Sequence, residues 1–67
     1  MNTYTNPFTE ELAERGYTVN ELRFEIREEL EDTWYSKDGV ERFCIKVGGC
    51  ELSAKAADVR RALKEAK

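Results

Sequence analysis

The sequence contains no histidine. The commonest general base, a principal zinc ligand and the one side chain that titrates unperturbed near neutral pH are therefore all missing. That excludes the usual hydrolase and metalloenzyme constellations, and no enzyme activity, cofactor or metal is expected. Long apolar runs are also absent. Nothing approaches the ~20 residues that a membrane-spanning helix requires, and "MNTYTNPF" lacks the basic and apolar regions of a secretory signal. A cytoplasmic protein without membrane association is expected. Cysteine is scarce, with two residues, and in a chain without an export signal both are expected as reduced thiols. Cys44 has Arg42 and Lys46 two residues away, but neither a base nor a resolving thiol to serve catalysis. Gly48-Gly49 lacks the longer glycine pattern and the Lys-Ser or Lys-Thr of a phosphate loop.

What is present fits one small soluble domain spanning residues 1–67, with 1–7 as a flexible N-terminal segment. Hydrophobic residues make up 40% and charged residues 37%, and a chain this short buries only ~60% of its unfolded surface. The net charge of −3 is unevenly spread. Residues 1–32 carry nine acids against three arginines, a balance of −6, and residues 33–67 carry eight bases against five acids, a balance of +3. Such polarity marks two faces for binding, or two halves that attract each other.

"NPFTEELAERG" reads as a short accessory helix with Thr9 as N-cap, Leu12 as its core anchor and Gly16 as a left-handed C-cap. Its "NPF" has the form of the tripeptide ligand of EH domains, but Phe8 is more simply a staple residue entering the helix. "NELRFEIREELED" admits two periods. Leu22, Phe24 and Ile26 alternate as in a strand, whereas Val19, Leu22, Ile26 and Leu30 align within ~80° of arc on a helix at ~100° per residue. The capping-box spacing of Thr18 and Glu21 decides for a helix over Val19–Asp32. Phe24 then falls opposite the apolar stripe.

From Thr33 the period becomes two. Two-residue turns at Asp38-Gly39 and Gly48-Gly49 pair Trp34 with Phe43, Tyr35 with Arg42, Val47 with Cys50, Lys46 with Glu51 and Ile45 with Leu52. Trp34, Phe43, Ile45, Val47, Cys50 and Leu52 share one face of that meander, and Tyr35, Arg42, Cys44, Lys46 and Glu51 the other. Cys44 and Cys50 on opposite faces cannot meet the geometry of a disulfide. "SAKAADVRRALKEAK" closes the chain as a helix with Ser53 as N-cap. The expected fold is α+β in the order α-α-β-β-β-α, a three-stranded antiparallel meander with helices on one face. Its expected core is Leu12, Val19, Leu22, Ile26, Leu30, Trp34, Phe43, Ile45, Val47, Leu52, Val59 and Leu63.

Two candidate sites follow. Glu21, Glu25, Glu28 and Asp32 form an acidic ridge on the second helix, beside Phe24. As a protein-binding face it suits a partner with a basic surface; as a plain helix face it only solubilises. Phe24 either anchors that interface or packs beneath Tyr4, Phe8 or Tyr17. The rival is the open sheet face, where Tyr35, Arg42 and Lys46 combine an aromatic ring with cations suited to nucleic acid. Glu41 and Glu51 interrupt it, and a pI near 5.0 lies far from that of typical nucleic-acid modules. The expectation is a non-enzymatic module acting by occupancy, a regulator or inhibitor of the kind mobile elements encode, as monomer or homodimer. A small nucleic-acid-binding domain using the open sheet face and the basic C-terminal helix is the alternative.

Overall fold

The computed structural model describes residues 6–66. The first helix, α1 (Pro7–Glu14), starts at Asn6 rather than at Thr9. The Asn6 side-chain oxygen accepts from the backbone N–H of Phe8 (2.9 Å) and Thr9 (3.3 Å), and Pro7 at the first helical position needs no donor partner. Asn6 and Pro7 thus belong to the helix start, not to a loose terminal segment. At the other end Gly16 N–H donates to the Ala13 carbonyl (3.0 Å) and Tyr17 N–H to that of Leu12 (2.9 Å), the paired bonds of a Schellman motif. Neither is α1 accessory. Phe8 and Leu12 are both fully buried, and the Phe8 ring meets Phe43 edge to face at 5.6 Å and 86°.

The ambiguous stretch is helical. A 3₁₀ turn (Asn20–Leu22), α2 (Arg23–Glu29) and a second 3₁₀ turn (Leu30–Asp32) follow one another, so the single helix expected there is wound more tightly at both ends, as is common where helices terminate. Both halves of the capping box form: Thr18 N–H donates to Glu21 Oε1 (2.9 Å), and Glu21 N–H donates to Thr18 Oγ1 (3.3 Å). Ile26 and Val19 are buried, and Leu22 and Leu30 pack half-buried against the core.

The strands β1 (Trp34–Tyr35), β2 (Glu41–Val47) and β3 (Cys50–Lys55) form an antiparallel sheet in the order β1-β2-β3, and α3 (Ala56–Glu65) follows directly. Gly48 and Gly49 both take positive φ (60° and 86°), as a type I′ turn demands, and the β2–β3 register is the expected one through Lys46↔Glu51 and Ile45↔Leu52. The first hairpin differs. Gly39 N–H donates to the Ser36 carbonyl (2.9 Å) and Ser36 N–H to that of Val40 (3.0 Å), with Gly39 at φ 82°. The loop therefore holds three residues, Lys37 to Gly39, in a type I turn closed by a glycine bulge. One extra residue shifts β1 by one place, so Trp34 faces Arg42 and Tyr35 faces Glu41. A one-residue slip exchanges the faces. Trp34 is 47% exposed instead of buried in the core.

All three helices cover the face that carries Phe43, Ile45, Val47 and Leu52. The expected α+β order and layering hold. Ala56, Val59 and Ala62 form the buried stripe of α3, with Leu63 half-buried at its side. Lys55, not Ser53, precedes α3, because Ser53 is taken up in β3 opposite Cys44. Cys50, expected in the core, is exposed at the hairpin end, and both cysteines are free thiols. Among the described residues no helix is long and apolar enough to cross a membrane.

Candidate functional site

Helix α2 presents its polar side outward because Ile26 holds the opposite side in the core. Phe24 consequently stands 70% exposed. Phe8, one of its expected covers, is committed to Phe43, and Tyr4 lies outside the described residues. On a helix Phe24 neighbours Glu21 and Arg27 three places away and Glu28 four places away. Glu21, Glu25, Glu28 and Asp32 are all exposed, but they are not equivalent. Glu21 is held by Thr18 in the capping box. The 3₁₀ turn after Glu29 advances ~120° per residue instead of ~100°, which swings Asp32 roughly 40–60° off the line. The ridge therefore centres on Glu25 and Glu28. Among the described residues neither makes an ion pair. Arg23 is drawn away: it donates to Asn20 Oδ1 at 2.7 Å and to the Ala66 carbonyl at the end of α3, and Arg27, next to Glu28 in sequence, makes no ion pair among the described residues.

The opposite side of the molecule is the uncovered sheet face. Its residues differ from those expected in two ways, both caused by the three-residue loop. Tyr35 leaves it for the helix side, where it is 70% exposed beyond the cover of the helices, and Trp34 takes its place beside Arg42. Glu41, expected to interrupt the basic strip, also points to the helix side. There it grips Arg60 of α3 with two parallel bonds of 2.7 and 2.9 Å and accepts from the Thr33 hydroxyl. Those hydrogen bonds, Arg60 first and Thr33 second, hold the Glu41 carboxyl down to about 2 and raise the Arg60 guanidinium. Arg42 and Lys46 remain on the open face, and Lys55, directly opposite Arg42, joins them. Lys55 and Trp34 were not legible as site residues because Lys55 reads as helix and Trp34 as core. The dipeptide Asp38-Gly39 is equally at home in a three-residue loop, and that reading alone would have found Trp34.

At the open edge of β3 a recess of about 240 Å³ has Pro7, Phe8 and Ala54 as its apolar wall, with Arg42 and Lys55 set against Glu11 and Asp58. No group of three or more Cys, Asp or Glu side chains among the described residues is placed to hold a metal ion. No family model, curated protein or solved structure matches the chain.

Proposed function

We propose that the chain is a non-enzymatic protein-binding module, a small cytoplasmic regulator or inhibitor that acts by occupying a basic partner surface through Phe24, Glu25 and Glu28. The observation that carries this reading is the 70% exposure of Phe24 beside carboxylates that make no ion pair among the described residues. Exposing a phenylalanine forfeits ~1.5–3 kcal/mol of burial free energy, and unpaired carboxylates along one helix side repel one another. A partner that covers the ring and sets cations against Glu25 and Glu28 relieves both. An aromatic anchor within a charged rim has the anatomy of an interface hot spot, with the charges steering encounter and the ring slowing release.

The test uses the full chain immobilised in nuclease-treated lysate beside two variants, Phe24→Ala and the double reversal Glu25→Lys, Glu28→Lys. A protein captured by the parent, released by salt and lost from both variants supports the reading. In purified form the reversal should slow association and flatten its salt dependence, while Phe24→Ala should speed dissociation. Equal capture by all three proteins means that the face only solubilises.

A further inference from the structure

The uncovered sheet face carries a row that crosses all three strands. Trp34 on β1 faces Arg42 on β2, and Arg42 faces Lys55 on β3. Directly opposed residues in antiparallel strands stand ~4.5–5.5 Å apart at Cβ, so the three side chains form a continuous band about 10 Å wide. Lys46 lies on the same face two alternate positions further along β2. Among the described residues no helix packs here; the core and all three helices lie on the other side.

Among the described residues some cations are ion-paired, and others, Arg23, Arg27, Lys37 and Lys64 as well as those of this face, are not. Arg15, Arg60 and Arg61 each hold a carboxylate. Among the described residues Arg42, Lys46 and Lys55 make no ion pair, although Arg42 is close enough to Asp38 to help lower that carboxyl. Glu51 stands opposite Lys46, so the hairpin end of the face is nearly neutral and the positive end is the Trp34 row. Glu11 and Asp58 oppose Arg42 and Lys55 only across the recess at the β3 edge. A negative chain is therefore favoured along the row and disfavoured into the recess. Trp34, the single tryptophan, is 47% exposed within this band.

We propose that this face binds single-stranded nucleic acid, with one base stacked on Trp34 and the flanking phosphates held by Arg42, Lys55 and Lys46. Repeated phosphates complement cations that make no ion pair among the described residues, and an indole face stacks on any unpaired base. A duplex keeps its bases stacked within, so the exposed indole favours a single strand. This site is separate from the α2 face and does not depend on it.

Trp34 is its own reporter. The full chain is titrated at low salt with an oligothymidylate of roughly ten nucleotides, following tryptophan emission, and the same labelled strand is followed by anisotropy with the variants. Quenching should saturate, with a dissociation constant in the ~10⁻⁴–10⁻⁶ M range of non-specific nucleic-acid binding. The log–log salt slope for three phosphate contacts should be about −2. Trp34→Ala should weaken binding about tenfold to a hundredfold and Trp34→Phe should restore most of it. Arg42→Ala should reduce the slope by roughly 0.7, with circular dichroism confirming that each variant is folded. The proposal is overturned by an absence of binding at low salt, by binding that leaves Trp34 emission and the Trp34→Ala variant unaffected, or by equal binding of heparin or of the matched duplex.

Discussion

Three phenylalanines in one small domain meet two different fates. Phe8 and Phe43 are fully buried and in edge-to-face contact, and Phe24 is exposed. Truncating a buried phenylalanine costs ~3–5 kcal/mol, and a domain of this size holds only ~3–5 kcal/mol in total. Phe8→Ala and Phe43→Ala should each leave the chain largely unfolded at 25 °C, whereas Phe24→Ala should stay within ~0.5 kcal/mol of the parent. Thermal melts followed by circular dichroism distinguish the three. A cooperative, parent-like transition in Phe8→Ala would remove α1 from the core. The same comparison separates residues that build the fold from the one left exposed on α2.

At the scale of elements, one side chain both starts α1 and ties it to α3. Asn6 caps α1 with its oxygen, and its Nδ2 donates to the Asp58 carbonyl of α3 at 2.9 Å. One amide thus orders the first turn and fastens it to the last helix. Asn6→Ala should cost ~0.5–2 kcal/mol from the cap alone, lowering Tm by about 4–8 °C per kcal/mol in a domain of this length. Asn6→Asp keeps the acceptor for the helix N–H groups but loses the donor to α3, so its Tm should fall between those of Ala and the parent. Full stability in the Asp variant would show that the bond to Asp58 contributes nothing. The first hairpin teaches the converse lesson. There the strands were legible from their period of two, but the choice between two and three loop residues decided which face received Trp34.

Across the whole molecule, the Glu41–Arg60 pair joins the sheet to α3 and makes stability depend on acid. The folded-state pKa of Glu41, about 2, lies below its ordinary value of 4.5. Folding therefore favours the ionised form; that contribution is complete above pH ~4.5 and disappears as pH falls through about 2. Urea midpoints recorded across that window should fall in the parent, and less steeply in Glu41→Gln. Identical slopes would assign the acid sensitivity to other carboxylates. Arg60 is exposed and Glu41 half-buried, and the importance of the pair is positional: with Glu41 turned to the helices, the open face keeps Arg42 and Lys55 without a neighbouring carboxylate on β2.

Local signals settled much of this protein without tertiary information. The capping box at Thr18 and Glu21, the paired glycines at 48 and 49, the alternation along β2 and the alanine-rich stripe of α3 each involve residues within a few positions of one another, so element types, their order and the β2–β3 register could be read directly. The same periodicity placed Phe24 opposite the apolar stripe, and the folded molecule decided between exposure and cover by the N-terminal segment. What required the folded molecule was every choice between locally equivalent states. Asn6 and Thr9 are both good N-caps, and Asn6 prevailed because it also reaches Asp58, 52 residues away. Phe8 became central because Phe43 waits across the interior. Trp34 and Tyr35 differ by one step along an edge strand, and only the hydrogen bonds closing the hairpin and the grip of Arg60 on Glu41 determine which ring faces the open sheet.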